Sequence, residues 1–268
     1  MLRYTMNIEI HDKSKAESFS NIFQHVKTFA EHINLTINDE KLYVQSMDAS
    51  HIVIFEIHLP KEWFDVFEKG GNEENITIGI HAGVLGKVLN TRDKSQKIIL
   101  GVEDSGSDKI QIDFKGENEI TSLDKHFHLP LMDIESEMLS IPEFDCDVNI
   151  TIPSSNLSSI INQFQIFGDS LDFVCSHAEN KVVVKSSGAE TGKMEVDIVN
   201  SPQTECVIKD DVDMKVSFAL YKMHDICCNT KLSKNVSIGI SDCYPICVTY
   251  DVGDNGKMLF YLAPKVDD

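Results

Sequence analysis

The sequence predicts an α+β fold that is mainly antiparallel sheet and consists of two similar halves. Apolar and polar residues alternate with a period of two in many short segments, which is typical of strands with one buried face. Four segments show helical spacing instead, and they begin near residues 16, 81, 153 and 218. Each is followed by predicted strands. One short helix and a small meander are therefore repeated four times.

Nine segments are clear strand candidates because β-branched and aromatic residues alternate within them. Turn residues separate consecutive candidates, as in 104–108 (DSGSD) and 253–256 (GDNG). The predicted strands are 52–59, 98–102, 110–114, 148–152, 182–185, 194–199, 236–240, 246–250 and 258–262.

The four predicted helices carry apolar residues at intervals of three and four, which places these residues on one face. The first covers about 16–30, the second about 81–90 and the fourth about 218–228. The third begins at Pro153, where Ser154 or Ser155 is expected to cap it, and stops at Gly168.

The repeat is interrupted between residues 123 and 145, a stretch with two prolines, many acidic residues and no clean period. We therefore predict a first domain over 1–128, a linker over 129–146 and a second domain over 147–268. The linker is too apolar to lie in water. It either covers a seam of the sheet or forms one wall of a groove for a partner peptide.

The charge balance limits the partners of this protein. The chain has 24 Lys and Arg against 43 Asp and Glu, a net charge of −19, so its surface as a whole repels nucleic acid and anionic membranes. Any contact with DNA requires a local basic patch. No apolar run approaches the roughly 20 residues of a membrane span, and residues 1–10 do not resemble a signal peptide. We expect a soluble intracellular protein.

The seven cysteines are an odd number scattered through apolar stretches, which favours reduced structural thiols. Cys243 and Cys247, with the pair Cys227 and Cys228, do not have the spacing of a structural zinc site. We therefore predict no metal site.

No catalytic site is predicted. The carboxylates of Glu103, Asp104 and Asp108 lie in a turn without a matching histidine or distant carboxylate motif, which argues against a metal-dependent nuclease. Phosphate-binding, serine-hydrolase and zinc-protease motifs are also absent from the sequence. We expect a protein without enzymatic activity or cofactor.

Four motifs resemble the proliferating cell nuclear antigen (PCNA) family, the sliding clamps of DNA replication. They are 42–52 (LYVQSMDASHI), the linker motifs within 131–142, 242–245 (DCYP) and 260–266 (FYLAPKV), in collinear order over essentially the whole chain. The resemblance implies a DNA-clamp fold and a homotrimeric ring of six similar domains. Twelve helices would line its central hole, and antiparallel sheets would lie outside. A strand within 122–131 would pair with one within 193–200 of the next subunit.

The resemblance also implies a DNA surface inside the ring. Lys27 and Lys87 stand where the family has pore lysines, and three further basic residues are close enough to contribute. The third helix departs from the family because it has no charge, so amides would contact phosphate there. The DNA-binding residues would be Lys15, Lys27, Lys87, Arg92 and Lys222, with Asn156, Asn162, Gln163 and Gln165 as the amides.

A second implied site is a groove for a short peptide that carries a glutamine, an aliphatic residue and two aromatics. Such peptides would come from DNA polymerase, clamp loader, ligase and flap nuclease. Ala263 and Pro264 would meet the glutamine. The other lining residues would be Met47, His51, Ile52, Ile54, Leu139, Ile141, Pro245 and Tyr261. For Met47, Ile52 and Ile54 the alternative is an ordinary place in a strand core.

The resemblance leaves two questions open. The surface lysine that eukaryotic members use for ubiquitin attachment corresponds to Glu179, which indicates a divergent member, such as one from a large DNA virus or a distant eukaryote. It would act in the nucleus or, if viral, at a viral replication site. The alternatives are a subunit of a heteromeric checkpoint clamp and a viral processivity factor that forms no ring. The motifs at 139–141 and 263–264 favour the replication clamp.

Overall fold

The computed structural model describes residues 5–71, 73–103, 106–116, 123–135, 138–142, 145–242 and 244–265. Asp104 and Cys243, and the segment ends predicted at 122 and 266, lie outside these described residues. The chain divides into two compact units. The first consists of Met1–Ala49, Glu56–Met138 and Val252–Met258, and the second of Ser50–Phe55, Leu139–Asp251 and Leu259–Asp268.

The structure confirms an α+β fold in which antiparallel strands dominate and short helices recur. The helices are α1 (Lys13–Val26), α2 (Ala82–Leu89), α3 (Ser154–Phe164) and α4 (Leu220–Cys227). The strands are β1 (Met6–Ile10), β2 (His32–Ile37), β3 (Lys41–Met47), β4 (Val53–Pro60), β5 (Val66–Lys69), β6 (Ile76–His81), β7 (Lys97–Val102), β8 (Lys109–Lys115), β9 (Lys125–Pro130), β10 (Val148–Pro153), β11 (Ser170–Ser176), β12 (Lys181–Gly188), β13 (Gly192–Ile198), β14 (Glu205–Ile208), β15 (Asp213–Ala219), β16 (Asn235–Ile240), β17 (Ile246–Asp251) and β18 (Lys257–Leu262).

The first unit contains a five-stranded antiparallel sheet in the order β5-β1-β7-β8-β9. Its strands β3, β2 and β6 follow one another in a second sheet. The apolar faces of these strands meet the helices in a core that includes Phe19, Phe23 and Trp63. The indole of Trp63 donates a hydrogen bond to the carbonyl of Val252 at 3.2 Å, so this buried ring has no unsatisfied polar atom.

The second unit repeats this architecture. A four-stranded sheet has the order β13-β12-β11-β15, and β14, β10, β16 and β17 follow one another in another sheet. Its aromatic core includes Phe173 and Phe218, with ring centroids 5.9 Å apart. The buried hydroxyl of Tyr250 donates to the carbonyl of Ile226 at 3.0 Å, which ties β17 to α4.

The first helix of each unit, α1 and α3, begins in a different way. Asp12 caps α1, because its carboxylate accepts a hydrogen bond from the amide of Lys15 at 2.9 Å. The expected serine cap of α3 was wrong. Pro153 occupies the cap position, and the Oγ atom of Ser154, the first helical residue, is buried without a hydrogen-bond partner. The amide of Ser154 donates instead to the carbonyl of Lys234 at 2.9 Å, so neighbouring backbone satisfies the start of this helix.

The six described cysteines are free, as expected of reduced thiols. Burial raises the pKa of the Cys227 thiol to about 12, which keeps it protonated at neutral pH. Within the described residues, no helix is long and apolar enough to cross a membrane.

Candidate functional site

The first candidate surface is formed by α1 and α2 of the first unit, which pack against each other. Their close approach depends on Gly86, where an added Cβ would lie 3.3 Å from the carbonyl oxygen of Phe23 and 3.6 Å from Cδ of Lys27. The side chain of Lys27 therefore runs over Gly86, the residue before Lys87. Both lysines are exposed. The structure thus brings the two predicted DNA-binding lysines to one place.

Gln24 connects these two helices and was not identified from the sequence. Its amide nitrogen donates a hydrogen bond to the carbonyl of Gly86, and its amide oxygen accepts one from Nζ of Lys27 at 2.9 Å. The i, i+3 spacing of Gln24 and Lys27 was the available signal. Among the ion pairs of the described residues, none involves Lys27 or Lys87. Their two positive charges are therefore not neutralised by a neighbouring carboxylate.

Lys15 and Arg92 lie in different environments from these two lysines. Nζ of Lys15 forms an ion pair with Asp254 at 2.5 Å and lies 5.8 Å from the centre of the Trp63 ring. Lys15 is therefore partly neutralised within its own unit.

The guanidinium of Arg92 forms hydrogen bonds with the loop that follows α2. Its Nη1 atom donates to the carbonyls of Asp93 at 3.1 Å and Gln96 at 2.8 Å, and Nη2 lies 3.7 Å from the carboxylate of Glu17. The side chain is only 3% exposed, and burial lowers the pKa of the guanidinium, which Glu17 and Asp93 partly offset. These contacts argue against Arg92 as a DNA contact, because a phosphate cannot reach a guanidinium enclosed by backbone carbonyls.

The helices of the second unit present a different surface. Lys222 is half-buried on α4, with Nζ 5.1 Å from the ring of Tyr221, which is itself 53% exposed. Asn156, Asn162, Gln163 and Gln165 are all exposed, as a role in phosphate contact requires. This surface offers amides and hydroxyls where α1 and α2 offer lysines.

The second candidate surface lies in the second unit, where residues 50–55 meet the C-terminal segment. The amide of Ala263 donates to the carbonyl of Ile52 at 2.9 Å, which brings two predicted groove residues together. The amide of Lys265 donates to the carbonyl of Ser217 at 2.7 Å and fixes the chain after Pro264. His51 adopts a positive φ of 59°, so the backbone turns sharply just before β4.

The alternation of burial shows which face of these strands the predicted groove residues occupy. In β4, Val53 and Phe55 are fully buried whereas Ile54 is half-buried, and in β18 the same contrast separates Phe260 from Tyr261. The predicted residues therefore lie on the outer face rather than in the core. Of the others, Ile52, Pro245, Ala263, Pro264 and Ile141 are half-buried, Leu139 is 39% exposed, and Met47 is half-buried at the end of β3 in the first unit.

The linker is anchored at its start by hydrogen bonds of its backbone, although several of its apolar side chains, which we expected to be covered, are exposed. The amide of Met132 donates to the carbonyl of Gly79 at 2.8 Å, and the carbonyl of Ile134 accepts from the side chain of Asn34 at 3.0 Å. A Cβ at Gly79 would collide with the carbonyl oxygen of Met132, so only glycine permits this approach. Further along, Met138 is 61% exposed. Apolar side chains are thus left in solvent just after the anchored part.

A buried carboxylate lies in the first unit beside the anchored linker. Glu56 accepts hydrogen bonds from the hydroxyl of Tyr43 and from Nε2 of Gln45 at 3.2 Å, and Nε2 of His58 lies 3.6 Å from its second oxygen. Burial raises the pKa of Glu56, but the hydrogen bonds of His58, Tyr43 and Gln45 outweigh it and lower the pKa to about 2. Tyr43 and Gln45 also line a cavity of about 170 Å³ with Ile134 of the linker.

Comparisons with known proteins identify one family along nearly the whole chain. The family model for proliferating cell nuclear antigen, N-terminal domain, matches residues 10–138, and that for its C-terminal domain matches residues 140–265. Proliferating cell nuclear antigen from Chaetomium thermophilum is 27% identical over 259 residues, which cover 95% of this chain and 96% of that protein. The crystal structure of the corresponding Entamoeba histolytica protein matches with a TM-score of 0.85 at 25% identity, covering 98% of this chain and 100% of that chain.

Proposed function

Because the chain belongs to the PCNA family of sliding clamps, we propose that it is a DNA polymerase processivity factor. It would encircle duplex DNA as a homotrimeric ring and tether replication and repair enzymes to it. The observation that carries this proposal is the match of both family domains to nearly the whole chain. The members of this family act as scaffolds rather than enzymes. We extend this to the present chain, which would need no cofactor and would work in the nucleus or at a viral replication site.

The ring would close through strand edges. Among the described strands, β9 and β13 each lie at the end of a sheet and have one neighbour. Unpaired edges invite pairing with another chain, and head-to-tail pairing of β9 with β13 of the next subunit would remove both edges. Light scattering should give about three times the 30.1 kDa mass of the chain. A monomer at micromolar concentration would contradict this arrangement and favour a viral factor that forms no ring, and a requirement for other subunits would favour a checkpoint clamp.

The DNA surface would consist of Lys27 and Lys87, supplemented by Lys222 and the amides of α3. We leave Arg92 out because it is buried, and we give Lys15 a minor role because Asp254 neutralises it. A chain of net charge −19 can hold DNA only at such a local patch. We expect weak, sequence-independent binding that depends strongly on salt, and stable retention only after an ATP-driven loader closes the ring on DNA with blocked ends.

The salt dependence of DNA binding tests this surface. The double variant Lys27→Ala/Lys87→Ala should reduce the slope of log affinity against log salt by about 0.9 for each phosphate that the protein no longer neutralises. Lys109→Ala/Lys257→Ala is the matched control, because it removes the same charge from two exposed lysines on strands. If both variants show the wild-type slope, the DNA surface lies elsewhere.

The groove of the second unit would bind the partner peptides. We propose that an aromatic anchor packs against Leu139, Ile141, Pro245 and Tyr261, while Ala263 and Pro264 meet the glutamine. The partial exposure of these apolar side chains supports this assignment, because a soluble domain gains nothing from leaving them in water. Polymerase, clamp loader, ligase and flap nuclease would compete for the groove, so the chain would be a tether.

Calorimetric titration with a peptide of the glutamine, aliphatic and double-aromatic type tests the groove. Leu139→Ala and Ile141→Ala should each weaken binding by at least about 1 kcal/mol, and by about 2 kcal/mol if the side chain is central to the contact. Neither variant should change the oligomeric state. Val207→Ala, which truncates an exposed valine on β14, is the control and should bind like wild type. Equal affinities for all four proteins would mean that the linker only covers the sheet.

A further inference from the structure

Two histidines lie opposite each other at one end of the β2–β6 pair. His32 is the first residue of β2, His81 is the last residue of β6, and they are direct partners in the antiparallel register. Directly opposed residues point to the same face of a sheet. Their ring centroids are accordingly only 5.1 Å apart. Nothing in the sequence pointed to this pair, because 48 other residues separate the two histidines along the chain.

A carboxylate completes the cluster. Glu31 precedes His32, and its carbonyl accepts a hydrogen bond from the amide of Ala82 at 2.8 Å, which holds its backbone against the end of β6. Its Oε1 atom lies 3.9 Å from Nε2 of His81. One ligand atom from each of Glu31, His32 and His81 lies within 4.8 Å of those of the other two.

We propose that Glu31, His32 and His81 form a binding site for a divalent transition metal ion, with zinc as the best fit. Two imidazole nitrogens and one carboxylate oxygen suit zinc, whereas magnesium and calcium prefer oxygen ligands alone. Zinc binds such ligands at about 2.0–2.2 Å, so tetrahedral ligands lie roughly 3.5 Å apart. The donors must therefore approach each other by up to about 1 Å, which small side-chain rotations can accommodate because none of the three residues is buried. Water would fill the remaining position.

The site is coupled to α2 through His81. Its Nδ1 atom accepts a hydrogen bond from the amide of Gly83 at 3.1 Å and so caps the helix. A neutral imidazole carries one proton, on either Nδ1 or Nε2. While Nδ1 accepts the hydrogen bond from Gly83, that proton is on Nε2, whereas a metal ion bound at Nε2 requires the proton to be on Nδ1. Metal and cap therefore compete for His81. Binding should be moderate in affinity and should release the amide of Gly83 at the start of the helix that carries Lys87.

The test is titration of metal-free protein, stripped with a chelator, with Zn²⁺ by calorimetry and with Co²⁺ by visible absorption. It should use a Cys228→Ser background, so that the exposed thiol of Cys228 does not compete for the added metal. We expect one metal ion per chain. His32→Gln should weaken binding at least about tenfold. His177→Gln removes an exposed histidine far along the chain and should have no effect.

His81→Asn distinguishes loss of a ligand from loss of folding. Asparagine is a strong helix cap, so this variant should keep α2 intact while removing the imidazole, and should weaken binding at least about tenfold with an unchanged circular dichroism spectrum. Hydrogen exchange provides a second readout, because the Gly83 amide should exchange faster when zinc is bound. Wild-type affinity in His32→Gln or His81→Asn, or no binding up to about 100 μM Zn²⁺, would overturn the proposal. None of these outcomes bears on DNA or peptide binding.

Discussion

Replacing Glu56 with glutamine should change how the stability of this protein depends on pH. The carboxylate of Glu56 is nearly buried and accepts hydrogen bonds from Tyr43 and Gln45 with His58 close by, which together lower its pKa from 4.5 to about 2. A folded-state pKa below that of the unfolded chain means that the ionised form stabilises the fold. This stabilisation is fully present above pH 4.5 and is lost as the pH falls through about 2.

The magnitude follows from the two pKa values. A gap of about 2.5 pH units, at about 1.4 kcal/mol for each unit, corresponds to roughly 3 kcal/mol in total. Between pH 7 and pH 3 only part of this is lost, about 2 kcal/mol, because the folded-state carboxylate is still mostly ionised at pH 3 while the unfolded one is protonated. Between pH 7 and pH 3, the free energy of unfolding of wild type should therefore fall by about 2 kcal/mol more than that of Glu56→Gln.

Urea unfolding at pH 7 and pH 3, at one protein concentration so that any assembly contributes equally, measures the difference. Glu62→Gln is the control, because Glu62 is an exposed carboxylate close by in sequence, and this variant should follow wild type. If Glu56→Gln and wild type lose the same stability between pH 7 and pH 3, the hydrogen bonds to Glu56 do not favour its ionised form and the reasoning fails.

Three further substitutions have definite expected outcomes. Gly79→Ala should destabilise the first unit by about 1–3 kcal/mol and speed proteolysis of the linker, because the new methyl group collides with the Met132 carbonyl; unchanged cleavage kinetics would argue against this anchor. Arg92→Met should lower the melting temperature but leave the salt slope of DNA binding unchanged, whereas a reduced slope would restore Arg92 to the DNA surface. Tyr250→Phe should cost about 1–2 kcal/mol in urea unfolding because the carbonyl of Ile226 loses its buried donor, and a neutral effect would indicate that water replaces the hydroxyl.

The sequence predicted the repeating plan of the fold because hydrophobic periodicity records which face of an element is buried. All nine predicted strands and all four helices are present, with ends that differ by a few residues. Half of the strands were not predicted individually. β1 is short, and β3 (KLYVQSM) has a run of three buried residues instead of strict alternation, so their patterns were too weak to separate from loops.

The candidate sites were predictable to different degrees for a similar reason. Lys27 and Lys87 were predicted together from the resemblance to the PCNA family, because they stand where that family has pore lysines, whereas the role of Gly86 in bringing them together required the packed structure. Arg92 was assigned wrongly to an accessible surface, since a sequence does not reveal that loop carbonyls enclose a guanidinium. The outward direction of Ile54 in β4, and of Ile52 just before it, became clear only from the burial of Val53 and Phe55.

If Lys27 contacts DNA as proposed, the amide of Gln24 affects how the protein moves along DNA. When a phosphate left Lys27, the ammonium group would return to the oxygen of Gln24, to which it donates a hydrogen bond at 2.9 Å in this structure. The ammonium group of Lys27 would thus exchange a phosphate oxygen for the oxygen of Gln24. Because it would have a hydrogen-bond acceptor both with and without DNA, the net free energy of each phosphate contact would be small. The proposed ring would then slide along DNA easily, because the energy barrier between one position on the DNA and the next would be low.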